Sequence, residues 1–245
     1  MCLVTFALGS SAAYPLVFAA NRDELHARPT ATADWWSEPD SILGGRDLLA
    51  GGSWLAVDRR GRLAAVTNIP SDDVRDDARS RGALVRDFLI GEASAADFVA
   101  TVASEIDAYR PFNFLAFDGR ELHFAGSADR ALRFEPGIHA LSNAPLGADW
   151  PKIHEAQAGL AEHLEAEGLE RSLFSLLARG ADDAQGPKDR LSRRERIFVR
   201  DGRFGTRSST IVFLSADGQV RFVERNFTDT GELDGERVHE YAIET

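Results

Sequence analysis

Segments of strand length and of helix length occur in blocks along this chain, and this order limits the folds that it can adopt. Short apolar runs over 3–8 and 14–20 predict a hairpin at the start of the chain. Two helices are predicted over 80–90 and from 94 to about 109, and another hairpin is predicted over 208–226. Because strands and helices do not alternate singly, the pattern favours an α+β fold over a doubly wound parallel sheet.

Further elements are predicted between these blocks. The polar stretch over 21–30 contains Arg28-Pro29 near its end and is predicted to be a loop. The remaining predictions are strands over 53–57, 63–68, 113–117, 121–125 and 138–143, helices over 150–167 and 169–178, and a surface loop over 180–188. No linker and no internal repeat divides the sequence, so we expect a single domain over 1–245.

Two glycine pairs, Gly44-Gly45 and Gly51-Gly52, invite comparison with a phosphate-binding loop. They lack the G-x-x-x-x-G-K-[ST] pattern and its strand-to-helix context. We therefore predict that these glycines serve tight turns and the close packing of strands.

The charge and cysteine content exclude several classes of function. With 28 basic and 39 acidic residues the net charge is −11, which argues against nucleic acid or an anionic membrane as a partner. Cys2 is the sole cysteine, so an intramolecular disulfide and a cysteine-based zinc site are excluded. The histidines show no H-E-x-x-H spacing, and no apolar run approaches the length of a spanning helix. We expect a cytoplasmic protein with no metal and no membrane insertion.

Cys2 is the first residue with a possible catalytic role, that of a nucleophile. Removal of Met1 would place a thiol and a free α-amine on the same residue. The amine has a reference pKa of about 8 and can act as general base for its own thiol. The alternative is an inert cysteine in an edge strand, since the environment of a thiol decides its reactivity.

A cluster of polar side chains, Asn21-Arg22-Asp23-Glu24, follows the second apolar run. If the first two strands pair, these side chains approach one end of the strand that carries Cys2. Asp23 is then suited to stabilise the α-ammonium, and Arg22 to lower the pKa of the thiol or to bind an anionic substrate. The alternative is a solvated loop held by a surface salt bridge.

Several ordered motifs together resemble the NRDE-domain family, which is the transport and Golgi organisation protein 2 family. The matching segments are Met1-Cys2, Ala19-Ala20-Asn21-Arg22-Asp23-Glu24, Arg28-Pro29-Thr30, Leu43-Gly44-Gly45-Arg46-Asp47-Leu48, Gly51-Gly52-Ser53-Trp54-Leu55, Thr67-Asn68, Leu141-Ser142-Asn143-Ala144 and Phe204-Gly205-Thr206-Arg207-Ser208-Ser209-Thr210. The resemblance covers nearly the whole chain in order. It implies a four-layer αββα sandwich of two antiparallel sheets, as in N-terminal-nucleophile (Ntn) hydrolases.

That family is similar to choloylglycine hydrolases and penicillin V acylases, which use an N-terminal cysteine. The resemblance implies that Cys2 is the nucleophile and that Arg22 and Asp23 are its supporting pair. It further implies that Asn143 stabilises the oxyanion, with Asn68 as a weaker match for a second donor.

The late arginine of those enzymes matches Arg207. Each of these matches has a structural alternative. The two asparagines, Asn68 and Asn143, are equally suited to cap turns before Pro70 and Pro145. Arg207 is equally suited to be a surface charge at the start of a strand.

Two functions remain open from the sequence. One is a cysteine hydrolase of a small acyl amide or acyl thioester, without a resident cofactor. The other, also implied by the family, is a carrier of haem or acyl-CoA in which Asn21, Arg22 and Arg207 contact the ligand and Trp54 forms part of an apolar wall. A domain that has lost its chemistry is the third alternative.

Overall fold

The computed structural model describes residues 2–72, 75, 77–128, 130–181 and 194–244. The chain divides into two compact units, each built from separate segments. Unit 1 contains Met1–Arg28, Pro136–Ser142 and Ala148–Tyr241, and unit 2 contains Pro29–Glu135, Asn143–Gly147 and Ala242–Thr245. Because neither unit is a continuous stretch of sequence, a domain boundary could not be placed in a linker. The single domain over 1–245 stays a prediction.

The described strands form two antiparallel sheets of seven strands each. The strands are β1 (Leu3–Leu8), β2 (Leu16–Leu25), β3 (Thr30–Trp35), β4 (Ile42–Asp47), β5 (Leu55–Asp58), β6 (Leu63–Asn68), β7 (Phe112–Phe117), β8 (Leu122–Gly126), β9 (Arg130–Arg133), β10 (Gly137–Ser142), β11 (Arg200–Asp201), β12 (Phe204–Leu214), β13 (Gln219–Phe227) and β14 (Leu233–Ala242). The helices are α1 (Arg81–Ile90), α2 (Ala95–Ser104), α3 (Pro151–His163) and α4 (Leu169–Leu177), with a 3-10 turn over Ile106–Ala108.

The sheet of unit 1 has the order β10-β1-β2-β12-β13-β14, and β11 pairs with β12. Alternate residues of its central strands pack against α3 and α4. This core contains Leu3, Ala7, Val17, Ala19, Leu160, Leu173, Leu177, Ile211 and Val223. The opposite face is also buried, since Phe6 and Phe18 on that face have no exposed surface. Their rings stack with centroids 6.0 Å apart. Burial on both faces explains why these strands read as continuous apolar runs.

Unit 2 is a meander in which each strand from β3 to β9 pairs with the next. Helices α1 and α2 cover one face, where Val85, Phe88 and Val99 join Phe114 in a buried core. The start of α2 follows its sequence signal, because the Ser94 Oγ accepts the Asp97 N–H at 3.1 Å. Among the described residues, no helix has both the length and the apolar character needed to cross a membrane.

The structure corrects the predicted loop over 21–30. Residues Asn21 to Leu25 continue β2, because β12 pairs along the whole of β2 from Leu214↔Leu16 to Phe204↔Leu25. That pairing satisfies the backbone of a stretch whose side chains are polar. Strands β3, β4, β9, β11 and β14 were not predicted either. Residues 182–188 of the predicted loop over 180–188 lie outside the described residues.

The predicted role of the glycine pairs is confirmed at two positions. A Cβ on Gly45 would lie 2.2 Å from Cη2 of Trp54, and one on Gly52 would lie 2.3 Å from the backbone carbon of Gly82. The first contact is with a side chain, whereas the second is with backbone that has little room to move. Gly52 therefore permits a close approach of two chain segments in unit 2.

We expect Gly52→Ala to lower the free energy of unfolding by about 1–3 kcal/mol, because the added methyl must push backbone apart. The control is Gly235→Ala, since a Cβ there meets no atom within 4 Å and the backbone is not left-handed. Urea unfolding of both variants and the parent protein measures the difference. Equal stability of the two variants would contradict the close approach.

Candidate functional site

Cys2 lies directly before β1, the strand that sits between β10 and β2 in the sheet of unit 1. Leu3, its neighbour, pairs with Ser142 on one side and with Asn21 on the other. The Ser142 Oγ also donates to the backbone oxygen of Cys2 at 2.5 Å. The nucleophile candidate is therefore held from two sides at the end of a central strand, and the residue is half-buried.

The Cys2 thiol is surrounded by groups that act on its ionisation. Burial raises the pKa of the thiol above its usual value and is the largest effect. The carboxylate of Asp23 raises the pKa further. The backbone N–H of Asp23 and the guanidinium of Arg22 lower it. The structure thus brings Cys2, Arg22 and Asp23 together, with burial holding the resting sulfur as a neutral thiol.

Asp23 is held by a chain of hydrogen bonds from β12. The Val199 N–H donates to the Thr206 hydroxyl at 2.9 Å, which leaves that hydroxyl to donate to Asp23 Oδ1 at 2.7 Å. Thr206 faces Asp23 in the β2–β12 register. Asp23 and Arg22 are only 4% and 5% exposed. A carboxylate that accepts from a preset hydroxyl in a buried position keeps a defined orientation.

Lys152 belongs to this site, although the sequence analysis did not select it. Its side chain is 0% exposed, and its Nζ makes no hydrogen bond to any described residue. Burial lowers the pKa of the Lys152 amine, while the negative charges of Asp23 and of ionised Cys2 raise it. One sequence signal was available. Lys152 shares a helix face with Ala156 and Leu160, at intervals of four, and both are buried.

Asn21 lies beside the site, but its side-chain amide makes hydrogen bonds to other residues of unit 1. The Nδ2 group donates to the carbonyls of Leu177 at 2.8 Å and Ile197 at 3.0 Å. The Oδ1 atom accepts from the Ser209 Oγ at 2.6 Å. These bonds tie β2 to β12, to α4 and to the segment before β11. Contact of Asn21 with a ligand stays a prediction.

Arg207 belongs to β12, and its guanidinium contacts the segment that follows β2. The β2–β12 register shifts between Thr206 and Ser208, so Arg207 is the extra residue of a bulge. Its Nη1 donates to the carbonyls of Leu25 at 3.0 Å, His26 at 3.1 Å and Arg28 at 3.2 Å. The guanidinium thus ties the loop to β12, and its catalytic and ligand-binding roles stay predictions.

The other predicted site residues, Asn68, Asn143 and Trp54, belong to unit 2. The Asn143 Nδ2 donates to the backbone oxygen of Asn68 at 2.5 Å. The Trp54 ring lies against Gly45. The two candidate oxyanion donors are therefore neighbours in unit 2, and their roles toward Cys2 stay predictions. Among the described residues, no group of three or more histidine, cysteine, aspartate or glutamate side chains is arranged to hold a metal ion.

We expect Asn21→Ala to lower the free energy of unfolding by about 2–4 kcal/mol, because it removes three buried hydrogen bonds and leaves their partners without one. The matched control is Asn68→Ala, which truncates an exposed asparagine and should change stability by less than about 0.5 kcal/mol. Guanidinium unfolding followed by fluorescence measures both. A stable Asn21→Ala variant would show that these bonds do not support the fold and would return Asn21 to the ligand-binding hypothesis.

Comparison with known proteins identifies the family. The family model described as Transport and Golgi organisation 2 matches residues 1–229. The chain is 31% identical to a Bos taurus Transport and Golgi organization protein 2 homolog over all of both chains, and 33% identical to the Homo sapiens homolog over 94% of each.

Among solved structures, the N-acylethanolamine-hydrolyzing acid amidase ortholog of Caenorhabditis elegans matches with a TM-score of 0.52 and 14% identity. The match covers 86% of this chain and 92% of that one. This likeness confirms the predicted α+β fold class of the Ntn hydrolase type. The resemblance predicted from the motifs is also confirmed, and the chain belongs to the Transport and Golgi organisation 2 family.

Proposed function

We propose that this protein is a cysteine Ntn hydrolase that cleaves an acyl amide or an acyl thioester. Cys2 is the nucleophile, and Met1 is removed to free its α-amine. The observation that carries the proposal is the position of the Cys2 thiol at the end of a central strand, beside the buried pair Arg22 and Asp23. Buried charges next to the sole thiol of the chain fit a reactive site better than a solvated loop.

The proposed reaction uses each of these groups. The Cys2 sulfur gives its proton to the α-amine and attacks the carbonyl carbon, forming an S–C bond. Asp23, oriented by Thr206, stabilises the ammonium that results, and Arg22 favours the thiolate. The ammonium then protonates the leaving amine or thiol as the C–N or C–S bond breaks. Water hydrolyses the acyl-cysteine and restores the thiol.

Two arguments bear on the substrate and on the oxyanion. The Caenorhabditis elegans structure carries the name of an enzyme that hydrolyses N-acylethanolamines, which are acyl amides. At 14% identity that likeness supports the fold alone, so the acyl amide class is our proposal for this chain. Asn143, with Asn68, is the proposed oxyanion donor, and loss of one such donor lowers kcat by about 10²–10³.

We expect the wild-type protein to form an acyl adduct on Cys2 during turnover of the correct substrate, and Cys2→Ala to form none and to lose hydrolysis. Panels of N-acyl amides and acyl thioesters, with intact mass spectrometry after acid quenching, measure both. Arg22→Ala should slow acylation, because the cation next to the thiolate is lost. The matched control is Arg171→Ala, an exposed arginine on α4 that should leave the rate unchanged.

Two results would contradict the proposal. Equal hydrolysis by wild type and Cys2→Ala would remove Cys2 as nucleophile. Retention of Met1 in protein from its native host, seen as intact mass, would remove the α-amine as base.

The alternative predicted from the family, carriage of haem or acyl-CoA, is separated by the same variants. If the protein is a hydrolase, titration with haemin should give no spectral change that depends on Arg22. Titration with an acyl-CoA should likewise give no saturable binding that depends on Arg22. Tight binding that is lost in Arg22→Ala, retained in Arg171→Ala and accompanied by no hydrolysis would favour a carrier.

A further inference from the structure

Lys152 is a buried amine that the proposed mechanism does not use. It is 0% exposed, and no described residue accepts a hydrogen bond from its Nζ. The nearest ring is that of Trp150, whose centroid lies 5.9 Å from Nζ. Such a position is costly for a lysine unless its charge is balanced or its amine is neutral. A buried amine without a partner therefore calls for an explanation in terms of its neighbours.

The packing of α3 directs Lys152 toward Cys2. The Thr5 Oγ1 lies 3.5 Å from the carbonyl oxygen of Ala156. One residue further on, Gln157 donates to the carbonyl of Ile138, which pairs with Ala7 of β1. Cys2 also acts electrostatically on Lys152, so helix numbers and strand numbers rise in the same direction. Lys152, one turn before Ala156, lies toward the beginning of β1, where Cys2 is.

The charged and titratable groups around this amine come from several elements. Asp23 on β2 and Cys2 before β1 both act electrostatically on Lys152. Arg22 and Asp23 act on Cys2 in turn. Arg194 lies over the Trp150 ring, with its Cζ 5.1 Å from the centroid. Within unit 1, the amine and the thiol thus belong to one buried cluster with Arg22 and Asp23.

Charge balance in this cluster links the amine to the thiol. With a neutral thiol and a neutral amine, the Arg22 cation and the Asp23 carboxylate cancel. Loss of the thiol proton to solvent would add a negative charge in a poorly solvated place. Movement of the same proton from Cys2 to Lys152 creates a thiolate and an ammonium and leaves the net charge unchanged.

We propose that, in chains that keep Met1, Lys152 takes the place of the α-amine and receives the proton of the Cys2 thiol. The S–H bond breaks and an N–H bond forms on Nζ as sulfur attacks the carbonyl. When the acyl bond of the substrate breaks, Nζ returns this proton to the leaving group. Burial lowers the pKa of the Lys152 amine, which favours the neutral form that can accept a proton. Burial also raises the pKa of the Cys2 thiol, so formation of the thiolate depends on the charges next to it.

This inference rests on Cys2 being the reactive group of the proposed function, but it is tested by a reaction that needs no substrate. Alkylation of Cys2 by iodoacetamide reports thiolate formation, and the sole cysteine makes the mass shift unambiguous. We expect Lys152→Met to alkylate about tenfold more slowly at pH 7.5, which corresponds to about one unit in the pKa of the thiol. The control is Lys188→Met, which changes the other lysine of the chain and should alkylate as the wild type does.

The comparison is made on chains with Met1 and on chains released by a protease to begin at Cys2. We expect the full effect of Lys152→Met in chains with Met1 and a smaller effect in chains that begin at Cys2, where the free α-amine also accepts the proton. If the effect is absent from chains with Met1, the proposal is overturned. If slow alkylation is seen but no substrate is hydrolysed by any form, the proposed function fails while the role of Lys152 stands.

Stability provides a check that Lys152→Met is folded. Because the folded pKa of Lys152 is lowered, the unfolded state binds more protons between that pKa and 10.5, and folding stability rises with pH across this window. Removing the amine abolishes this penalty, so the variant should be no less stable than wild type at pH 7.5. Thermal unfolding over a pH series measures this.

A measurement on the unmutated protein does not depend on whether any variant folds. With two lysines and one cysteine, labelling at the lysine Cε and the cysteine Cβ gives few resonances to follow by NMR. We expect the Lys152 amine to titrate below the usual value of about 10.4 and to shift when Cys2 is alkylated. The proposal would be overturned if the Lys152 amine titrated at its usual value and if alkylation of Cys2 left its pKa unchanged.

Discussion

The pairing of β2 with β12 is the interaction on which the candidate site depends. It joins residues about 180 positions apart, and it extends the strand through Asn21, Arg22 and Asp23. Without β12, this polar stretch would have no partner for its backbone and would be solvated as a loop. With it, Arg22 and Asp23 become buried beside Cys2. Pairing with one long strand therefore makes this hydrophilic stretch a strand and buries Arg22 and Asp23 beside Cys2.

Burial then determines the chemistry that these residues can support. Desolvation is the largest influence on both Cys2 and Lys152, and it disfavours the charged form of each. Charge separation within the cluster therefore costs less than ionisation of a single group. The carboxylate of Asp23 and the guanidinium of Arg22 provide the fixed pair against which a proton can move. The same burial makes the thiol a weaker acid and favours the neutral form of the Lys152 amine.

Motif matching identified residue types more reliably than the direction of their side chains. Asn21 and Arg207 lie in the matching segments, yet their polar groups bind backbone carbonyls that hold β2 and its following loop. For Arg207 the cause is the bulge after Thr206, which shifts the register by one residue. Asn143 donates to the backbone of Asn68, a contact that no local pattern encodes.

Local sequence patterns were enough to predict the α+β class, the family, most strands and helices, and the candidates Cys2, Arg22 and Asp23. These follow from local periodicity, capping residues such as Ser94 and ordered motifs, all of which are properties of neighbouring residues. The tertiary structure was needed to show that Asn21 to Leu25 form a strand and that Arg207 supports a loop. It was also needed to show that Lys152 lies among the charges near Cys2. The reason is physical, because each depends on strand register or helix packing between segments far apart in the chain.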